Sequence, residues 1–231
     1  MSWTATILTL YPEMFPGPLG LSLPGKALTK NLWGLDVCDI REHGIGRHRT
    51  VDDTPAGGGP GMVMRADVAM AAIDSVERGG RPIIYLSPRG APLAQTRVAA
   101  LAAGSGAILL CGRFEGLDER AIEARQIEEI SLGDFVLAGG EIAAMALIEA
   151  VVRLLPGVLG DATSAAEESF ASGLLEYPHY TRPQNVEGRT IPDVLNQGNH
   201  KEIAKWRRER AEQLTKARRP DLWALYEKSK R

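Results

Sequence analysis

LLCGRFEGLDER (residues 109–120) and ISLGDFVLAGGE (residues 130–141) are two stretches about 20 residues apart that share one pattern. Each begins as an apolar strand, breaks at a glycine and runs through a polar turn into a predicted helix. Upstream, residues 81–90 (RPIIYLSPRG) also form a predicted strand that ends in a turn. Three such units in succession predict three neighbouring loops at one edge of a sheet.

The chain around these units alternates predicted strands with predicted helices. Further strands are expected at TATILTL (4–10) and LDVCDI (35–40), and helices at residues 65–80 and 92–104. Gly79 and Gly80 are expected to stop the first of these helices. Alternation of this kind predicts an α/β fold with a parallel sheet covered on both faces. Ligands of such sheets bind beyond the carboxyl ends of the strands, where the three loops fall.

The three loops lack the features of a phosphate site. Neither G-x-x-x-x-G-K-[ST] nor G-x-G-x-x-G follows a strand, and Pro60 removes an amide donor from the glycine-rich stretch 56–62. Glycines let the backbone approach a flat ring closely. We expect Glu115 and Asp134 to attract a cationic group, which favours an adenosyl compound with a positive centre. The spacing alone is equally consistent with ordinary tight turns.

Composition limits the remaining classes of function. The 231 residues suffice for one large domain, or one domain with a small appendage. Cys38 and Cys111 lie in apolar runs and are expected to be buried thiols in a reducing compartment. The four histidines are scattered, at positions 43, 48, 179 and 200, so no metal site is predicted.

Neither a targeting segment nor a membrane span is expected. The N-terminus, MSWTATILTLYPEMF, lacks a basic region and a small-residue cleavage site. The most apolar helical stretch, residues 142–156, carries Glu149 and Arg153 and is too short to cross a bilayer. We therefore expect a cytoplasmic protein that makes no membrane contact.

Charge is unevenly distributed along the chain. Residues 1–171 hold 14 Lys and Arg against 21 Asp and Glu, a net −7, whereas residues 172–231 hold 13 against 8, a net +5. The basic part is predicted to be helical, with Ile203, Trp206 and Leu214 near one face and Pro220 separating two helices. Such a part suits an anionic partner such as nucleic acid, although the charge alone favours a solvated helix over such a partner.

Six motifs in register resemble a known family over nearly the whole chain. They are YLSPRG, CGRFEGLDER, SLGDFVLAGGE, PGVLG, ESFASGLLEYPHYTRP and GNHKEIAKWR. Together they resemble the bacterial tRNA (guanine-37-N1)-methyltransferases of the SPOUT superfamily. The resemblance implies a SPOUT domain with a trefoil knot (1–159), a linker (160–171) and a helical, tRNA-binding domain (172–231).

The resemblance also implies a cofactor and the residues that hold it. In this family the knot loops bind S-adenosylmethionine, and the protein is a homodimer whose active sites are shared between subunits. A magnesium ion assists the reaction, although the sequence carries no independent signal for one. The implied cofactor-binding residues are Tyr85, Leu86, Ser87, Pro88, Gly112, Arg113, Glu115, Gly116, Leu132, Gly133, Asp134, Phe135, Val136, Leu137, Gly139 and Gly140.

Two further residues carry the chemistry that the resemblance implies. Methylation of guanine N1 in the tRNA anticodon loop requires a base for its proton and a cation for the charge on O6. The family uses an aspartate in the linker and an arginine, which match Glu168 and Arg153 here. Glutamate is one methylene longer, and Glu167 is an alternative base. Arg153 could instead interact only with the dipole of its helix.

Two other functions stay open at this point. A chain with Glu168 in place of aspartate could bind RNA without catalysis. Within the superfamily, methylation of a ribose is a weaker alternative, because GRFEGLDER and the stretch 168–183 resemble the base-modifying branch.

Overall fold

The computed structural model describes residues 2–159 and 168–230 of the chain. By its internal contacts the chain divides into two compact units, Met1–Gly160 and Asp161–Arg231. Of the predicted linker, residues 160–167 lie outside the described part, and Glu167 lies among them.

The first unit is built on a five-stranded sheet in which every neighbouring pair is parallel, as predicted. The strand order is β2-β1-β6-β5-β7. Its strands are β1 (Trp3–Thr9), β2 (Trp33–Asp39), β5 (Ile83–Pro92), β6 (Gly106–Leu110) and β7 (Glu128–Ser131), and a separate antiparallel pair joins β3 (Asp52–Asp53) to β4 (Val63–Met64).

The apolar runs of the central strands are explained by burial on both faces. Side chains alternate along a strand, so neighbours enter opposite layers. Ile7 and Leu109 belong to one buried cluster, whereas Leu8 and Leu110 belong to a second. All four are 1% exposed or less. The sequence of a strand that is buried on both faces is therefore continuously hydrophobic rather than alternating between hydrophobic and polar residues.

Five helices of the described first unit connect these strands. They are α1 (Ser22–Thr29), α2 (Ala66–Asp74), α3 (Gln95–Ala102), α4 (Glu119–Arg125) and α5 (Glu141–Val152). Helix α2 ends five residues before Gly79, so the predicted stop was wrong. The hydroxyl of Ser75 donates to the carbonyl of Ala72 at 2.8 Å in the last turn, and the glycines form a left-handed turn before β5.

Helix α5 is apolar on nearly every side because it belongs to the core. Eight of its twelve residues are buried, and Leu147, Ile148, Val151 and Val152 are fully so. A helix that is hydrophobic all round must be covered by protein or lipid. Across residues 2–159 and 168–230, no helix has both the length and the hydrophobicity to cross a membrane.

The two cysteines differ, contrary to expectation. Cys111 is fully buried, and burial raises the pKa of its thiol well above the usual range. Cys38 is only half-buried, because β2 is an edge strand of the sheet. Burial, followed by the charges of Asp36 and Glu42, raises the pKa of its thiol as well.

The long polar loop 41–62 is more ordered than its sequence predicts. It begins in a short 3-10 helix, Ile40–His43, and contains β3. Its end lies against residues that follow β6: the N–H of Glu115 donates to the carbonyl of Met62 at 2.9 Å, and that of Met64 donates to Gly116 at 2.8 Å. A Cβ atom on Gly61 would lie 2.8 Å from the carboxyl carbon of Glu115, so only glycine permits this approach.

The second unit holds two helices and a small hairpin in its described residues. Its elements are β8 (Asn185–Val186), β9 (Arg189–Thr190), α6 (His200–Arg218) and α7 (Pro220–Ser229). Pro220 begins α7, as predicted, and the Asn199 side chain caps α6 by accepting from the N–H of Glu202 at 3.4 Å. Ala211 and Thr215 are the buried residues of α6, whereas the predicted Ile203, Trp206 and Leu214 are only half-buried.

Candidate active site

A cavity of about 370 Å³ opens where a loop interrupts β5 and where β6 and β7 end. The three loops predicted from the sequence form its walls. Of the residues expected to bind a cofactor, those that line it are Tyr85, Leu86, Ser87, Pro88, Gly112, Arg113, Glu115, Gly116, Leu132, Gly133, Phe135, Val136, Leu137, Gly139 and Gly140. These segments are far apart in the sequence and meet because parallel strands end at the same edge of the sheet.

Asp134 does not line this cavity. The third loop turns tightly there, with the N–H of Phe135 donating to the carbonyl of Gly133 at 2.9 Å, and Asp134 is exposed. Of the two carboxylates expected to attract a cationic group, Glu115 alone therefore faces the cavity.

Sequence reasoning missed seven lining residues, which are Arg89, Phe114, Leu117, Ile130, Ser131, Ala138 and Ala143. Most of them stand beside predicted residues in the same loops. Ala143 had a weaker signal: it lies three positions after Gly140, so the first turn of α5 brings it to the same side.

Tyr85 forms the inner wall of the cavity and explains the glycine at 112. Its side chain is 6% exposed. Burial, assisted by the negative charge of Glu129, raises the pKa of its hydroxyl, so Tyr85 is uncharged at neutral pH. A Cβ atom on Gly112 would lie 2.8 Å from that hydroxyl oxygen and closer still to the ring. Any larger residue at 112 would displace the Tyr85 ring.

The first loop, Ser87–Gly90, interrupts β5 rather than ending it, contrary to the predicted turn. Leu86 and Ala91 both align with Ile130 of β7, so the residues between them are looped out of the sheet. A Cβ atom on Gly90 would lie 2.6 Å from the carbonyl oxygen of Glu129, so a glycine is needed for the strand to return. Arg89 holds the loop from outside through ion pairs to Glu119 (2.9 Å) and Glu129 (3.1 Å).

The two residues expected to carry the chemistry lie in different units. Arg153 directly follows α5, is half-buried, and donates its backbone N–H to the carbonyl of Glu149 at 3.2 Å. This position at a helix C-terminus suits a cation whether or not it also meets a substrate. Glu168 is half-buried, and its carbonyl accepts from the N–H of Ala171 at 3.2 Å.

The described residues offer no metal site of the kind that the resemblance led us to expect for magnesium. Within residues 2–159 and 168–230, no three His, Cys, Asp or Glu side chains lie close enough together to hold an ion. Magnesium requires oxygen ligands at short, near-octahedral positions. The described side chains do not fit that requirement, and no chemical step is assigned to a metal.

Comparison with known proteins identifies the family of the chain. The family model described as tRNA (Guanine-1)-methyltransferase TrmD matches residues 3–225. A protein named tRNA (guanine-N(1)-)-methyltransferase from Rhodopseudomonas palustris (strain TIE-1) is 65% identical over 225 residues, covering 97% of this chain and 91% of its own. Two more proteins of the same name are similar to this chain. The one from Nitrobacter winogradskyi is 65% identical, and the match covers 97% of this chain and 94% of that protein. The one from Brucella ovis is 63% identical, and the match covers 98% of this chain and 94% of that protein. The chain thus belongs to the tRNA (guanine-1)-methyltransferase TrmD family.

Proposed function

We propose that this protein transfers a methyl group from S-adenosylmethionine to N1 of guanine 37 in tRNA. The observation that carries the proposal is the cavity itself: three glycine-bearing strand-end loops surround one space in a chain of this family. The names of relatives about 65% identical over nearly the whole chain support a tRNA guanine-N1 substrate.

The residues around the cavity suit an adenosyl group with a positive centre. Glycines at 112, 116, 133, 139 and 140 let the backbone lie close to a flat ring. The buried, uncharged Tyr85 ring provides an apolar surface, and Glu115 provides the negative charge at the wall. When bound there, S-adenosylmethionine supplies an electrophilic methyl group.

The protein's own chemistry is to move a proton and stabilise a charge. Guanine N1 carries a proton at neutral pH, and we assign its removal to the carboxylate of Glu168. Negative charge then develops on O6, and we assign its stabilisation to the guanidinium of Arg153. A glutamate serves as base as readily as an aspartate, since their ordinary pKa values are close.

Two architectural features belong to the same proposal. The loops that wall the cavity form a trefoil knot, and residues 1–159 form the cofactor-binding domain. The close approach of the third loop to the second supports this: the N–H of Gly140 donates to the carbonyl of Gly112 at 2.9 Å. A Cβ atom on Gly140 would lie 2.9 Å from the Cα of Cys111.

The proposal also includes the assembly. The protein is a homodimer, in which the second unit of one subunit closes over the cofactor of the other.

The second unit is assigned to tRNA binding, which places the activity in the cytoplasm. Two arginines of α6 lie over aromatic rings. The guanidinium of Arg207 is 4.7 Å from the centre of the Tyr177 ring, and that of Arg210 is 5.7 Å from the centre of the Trp206 ring. Tyr180 is 48% exposed beside Trp206. Basic surfaces with interleaved aromatic rings suit unpaired RNA, such as an anticodon loop from which a base is extruded.

A methylation assay tests the proposed function directly. Purified protein, unmodified tRNA transcripts and labelled S-adenosylmethionine are incubated, and the product nucleoside and its position are identified. We expect 1-methylguanosine at position 37, and none on a transcript with another base there. Binding of the transcript without methyl transfer would favour a non-catalytic RNA-binding protein. A methylated ribose would assign the protein to the other branch of the superfamily.

We expect Gly112→Val to abolish the binding of S-adenosylmethionine, as measured by calorimetry. The branched side chain would force the Tyr85 ring out of its position and so remove the inner wall of the cavity. The matched control is Gly104→Val, because Gly104 is exposed at the end of α3 and a Cβ atom there makes only an ordinary contact of 3.4 Å.

The control variant should bind S-adenosylmethionine as the wild-type protein does. Undiminished binding by Gly112→Val would show that the ligand does not use this wall. Tight binding of ATP, with none of S-adenosylmethionine, would contradict the assignment of the cofactor, since the loops lack a phosphate-binding lysine.

Complementation tests the shared active site. Mixing Glu168→Gln subunits with Gly112→Val subunits should restore methyl transfer, because one of the two sites in each mixed dimer combines an intact cavity with an intact Glu168. Activity is measured after subunit exchange, which is followed with tagged subunits. If exchange is complete and no activity returns, the site lies within a single subunit.

A further inference from the structure

A completely buried carboxylate lies behind the cavity and has no part in the chemistry described above. Glu141, in the first turn of α5, is 0% exposed. Its Oε1 accepts a hydrogen bond from the hydroxyl of Thr9 at 2.8 Å, and its Oε2 lies 2.8 Å from Nη2 of Arg113. Glu141 does not line the cavity, although Gly140 and Ala143 on either side of it do.

The guanidinium of Arg113 is enclosed by segments from three parts of the fold. It lies 4.4 Å from the centre of the Tyr11 ring, which follows β1. Its Nη1 donates to the carbonyl of Ala138 in the third loop at 3.4 Å. A Cβ atom on Gly139 would lie 2.6 Å from Cδ of Arg113, so the third loop passes directly over this side chain.

Stability does not explain why these charges are buried. A buried ion pair repays the loss of hydration only when hydrogen bonds satisfy its remaining polar atoms. Among the described residues, Nε of Arg113 and Oε2 of Glu141 are buried without a hydrogen-bond partner, even though the two charges are in contact. Replacing a buried ion pair by apolar residues of similar volume is often neutral or stabilising.

What the pair does accomplish is to connect two walls of the cavity. Arg113 belongs to the second loop, and Glu141 is the residue at which the third loop becomes α5. One backbone hydrogen bond, from Gly140 to Gly112, joins the same two segments. Exposed residues dominate the third loop itself, with Val136 83% exposed and Phe135 54% exposed, so the loop has few buried contacts of its own.

We propose that Glu141 is a positioning residue: it holds Arg113, and through it the third loop, in the arrangement that binds S-adenosylmethionine. Arg113 then acts through Glu141 and the loop rather than as an independent contact to the ligand. The inference rests on the proposed function, because it needs the cavity to be the cofactor site.

The first test is Glu141→Gln, which keeps the shape and the Thr9 contact but removes the charge. We expect the Kd for S-adenosylmethionine, measured by calorimetry, and its KM to rise by about tenfold, the lower end of the loss seen when a group that orients a metal ligand is removed. The value of kcat at saturating cofactor should change little, since Glu141 does not reach the substrate. The control is Glu123→Gln, an exposed glutamate on α4.

A double-mutant cycle separates positioning from direct contact. If Arg113 acts through Glu141, then Glu141→Gln combined with Arg113→Met should bind the cofactor no more weakly than the worse single variant. If Arg113 contacts the cofactor independently, the two losses should add, and the inference is overturned.

A second variant separates positioning from a merely structural role. Arg113→Met with Glu141→Leu removes both charges, whereas Arg113→Met alone leaves the buried Glu141 carboxylate unpaired. The double variant loses only the acceptor of the Thr9 hydroxyl, so its melting temperature should lie above that of Arg113→Met. We expect its affinity for S-adenosylmethionine to remain low despite this stability. The inference would be overturned if this double variant recovered both its stability and its affinity for S-adenosylmethionine. Wild-type affinity in Glu141→Gln would overturn it as well. Failure of the wild-type protein itself to bind the cofactor would contradict the proposed function instead.

Discussion

We expect the Glu168→Gln variant to transfer methyl groups to tRNA about two to four orders of magnitude more slowly than the wild-type protein, the usual effect of removing a general base. An amide cannot take the proton from guanine N1, so the methyl acceptor stays protonated. The affinity for S-adenosylmethionine should barely change, because Glu168 belongs to the second unit and does not line the cavity. Single-turnover methylation and calorimetry measure the two effects separately.

Variants of the neighbouring acidic positions show whether the register is right. Glu168→Asp should keep substantial activity, although misplacement of a catalytic group by ~1 Å can lower a rate about a hundredfold. Glu167→Gln should have a small effect. If Glu167→Gln is instead the damaging change, the base has been assigned one residue too late. Near-normal activity in the double variant would mean that neither carboxylate takes the proton.

The second large effect is expected from Arg153. Replacing it with methionine should lower kcat by about a hundredfold to a thousandfold, the usual loss when one group that stabilises a developing oxyanion is removed. The change also removes the interaction of a cation with the C-terminal end of the α5 dipole, which stabilises the folded protein by about 0.3–1 kcal/mol. Thermal denaturation and single-turnover kinetics give the two values.

The same pair of measurements decides between the two interpretations of Arg153. A role confined to the helix dipole predicts the small loss of stability with an unchanged kcat. Arg153→Lys keeps the charge at the helix end but not the planar group, so it should restore stability more fully than activity. The matched control is Arg125→Met, since Arg125 also ends a helix, α4, where it pairs with Asp74 at 2.6 Å. That change should leave kcat unaltered.

Much of the fold could be predicted because its signals are local. Continuous apolar runs such as residues 106–111 indicate strands buried on both faces, and Pro220 marks the break between α6 and α7. Two boundaries were predicted wrongly: one helix ends at a local hydrogen bond, and one strand resumes through a contact distant in the sequence. Helix α2 ends before its glycines, and β5 resumes after its loop because Ala91 and Pro92 still pair with β7.

The candidate site, too, could be predicted only in part from the sequence. Its three loops were predicted, because a glycine that breaks an apolar strand is visible within a few residues, and the six motifs identified their family. Arg89 and Ala143 were missed as lining residues, since their exposure to the cavity depends on how β5 loops out and where α5 begins. Asp134 was expected at the wall and faces away from it, because the tight turn at Gly133 reverses that part of the loop.

By itself, the sequence determined the class of the fold, the alternation of the main strands and helices, the loops that meet at the cavity and the family. These follow from side-chain periodicity and from backbone freedom, which act between near neighbours. Tertiary structure alone decided the strand order, the ion pair of Arg113 with Glu141, the hydrogen bond from Thr9 to Glu141 and the need for glycine beside Tyr85. Each of these depends on groups 25 or more residues apart. Only the packed sheet determines which distant groups share a space too small for a further methyl group.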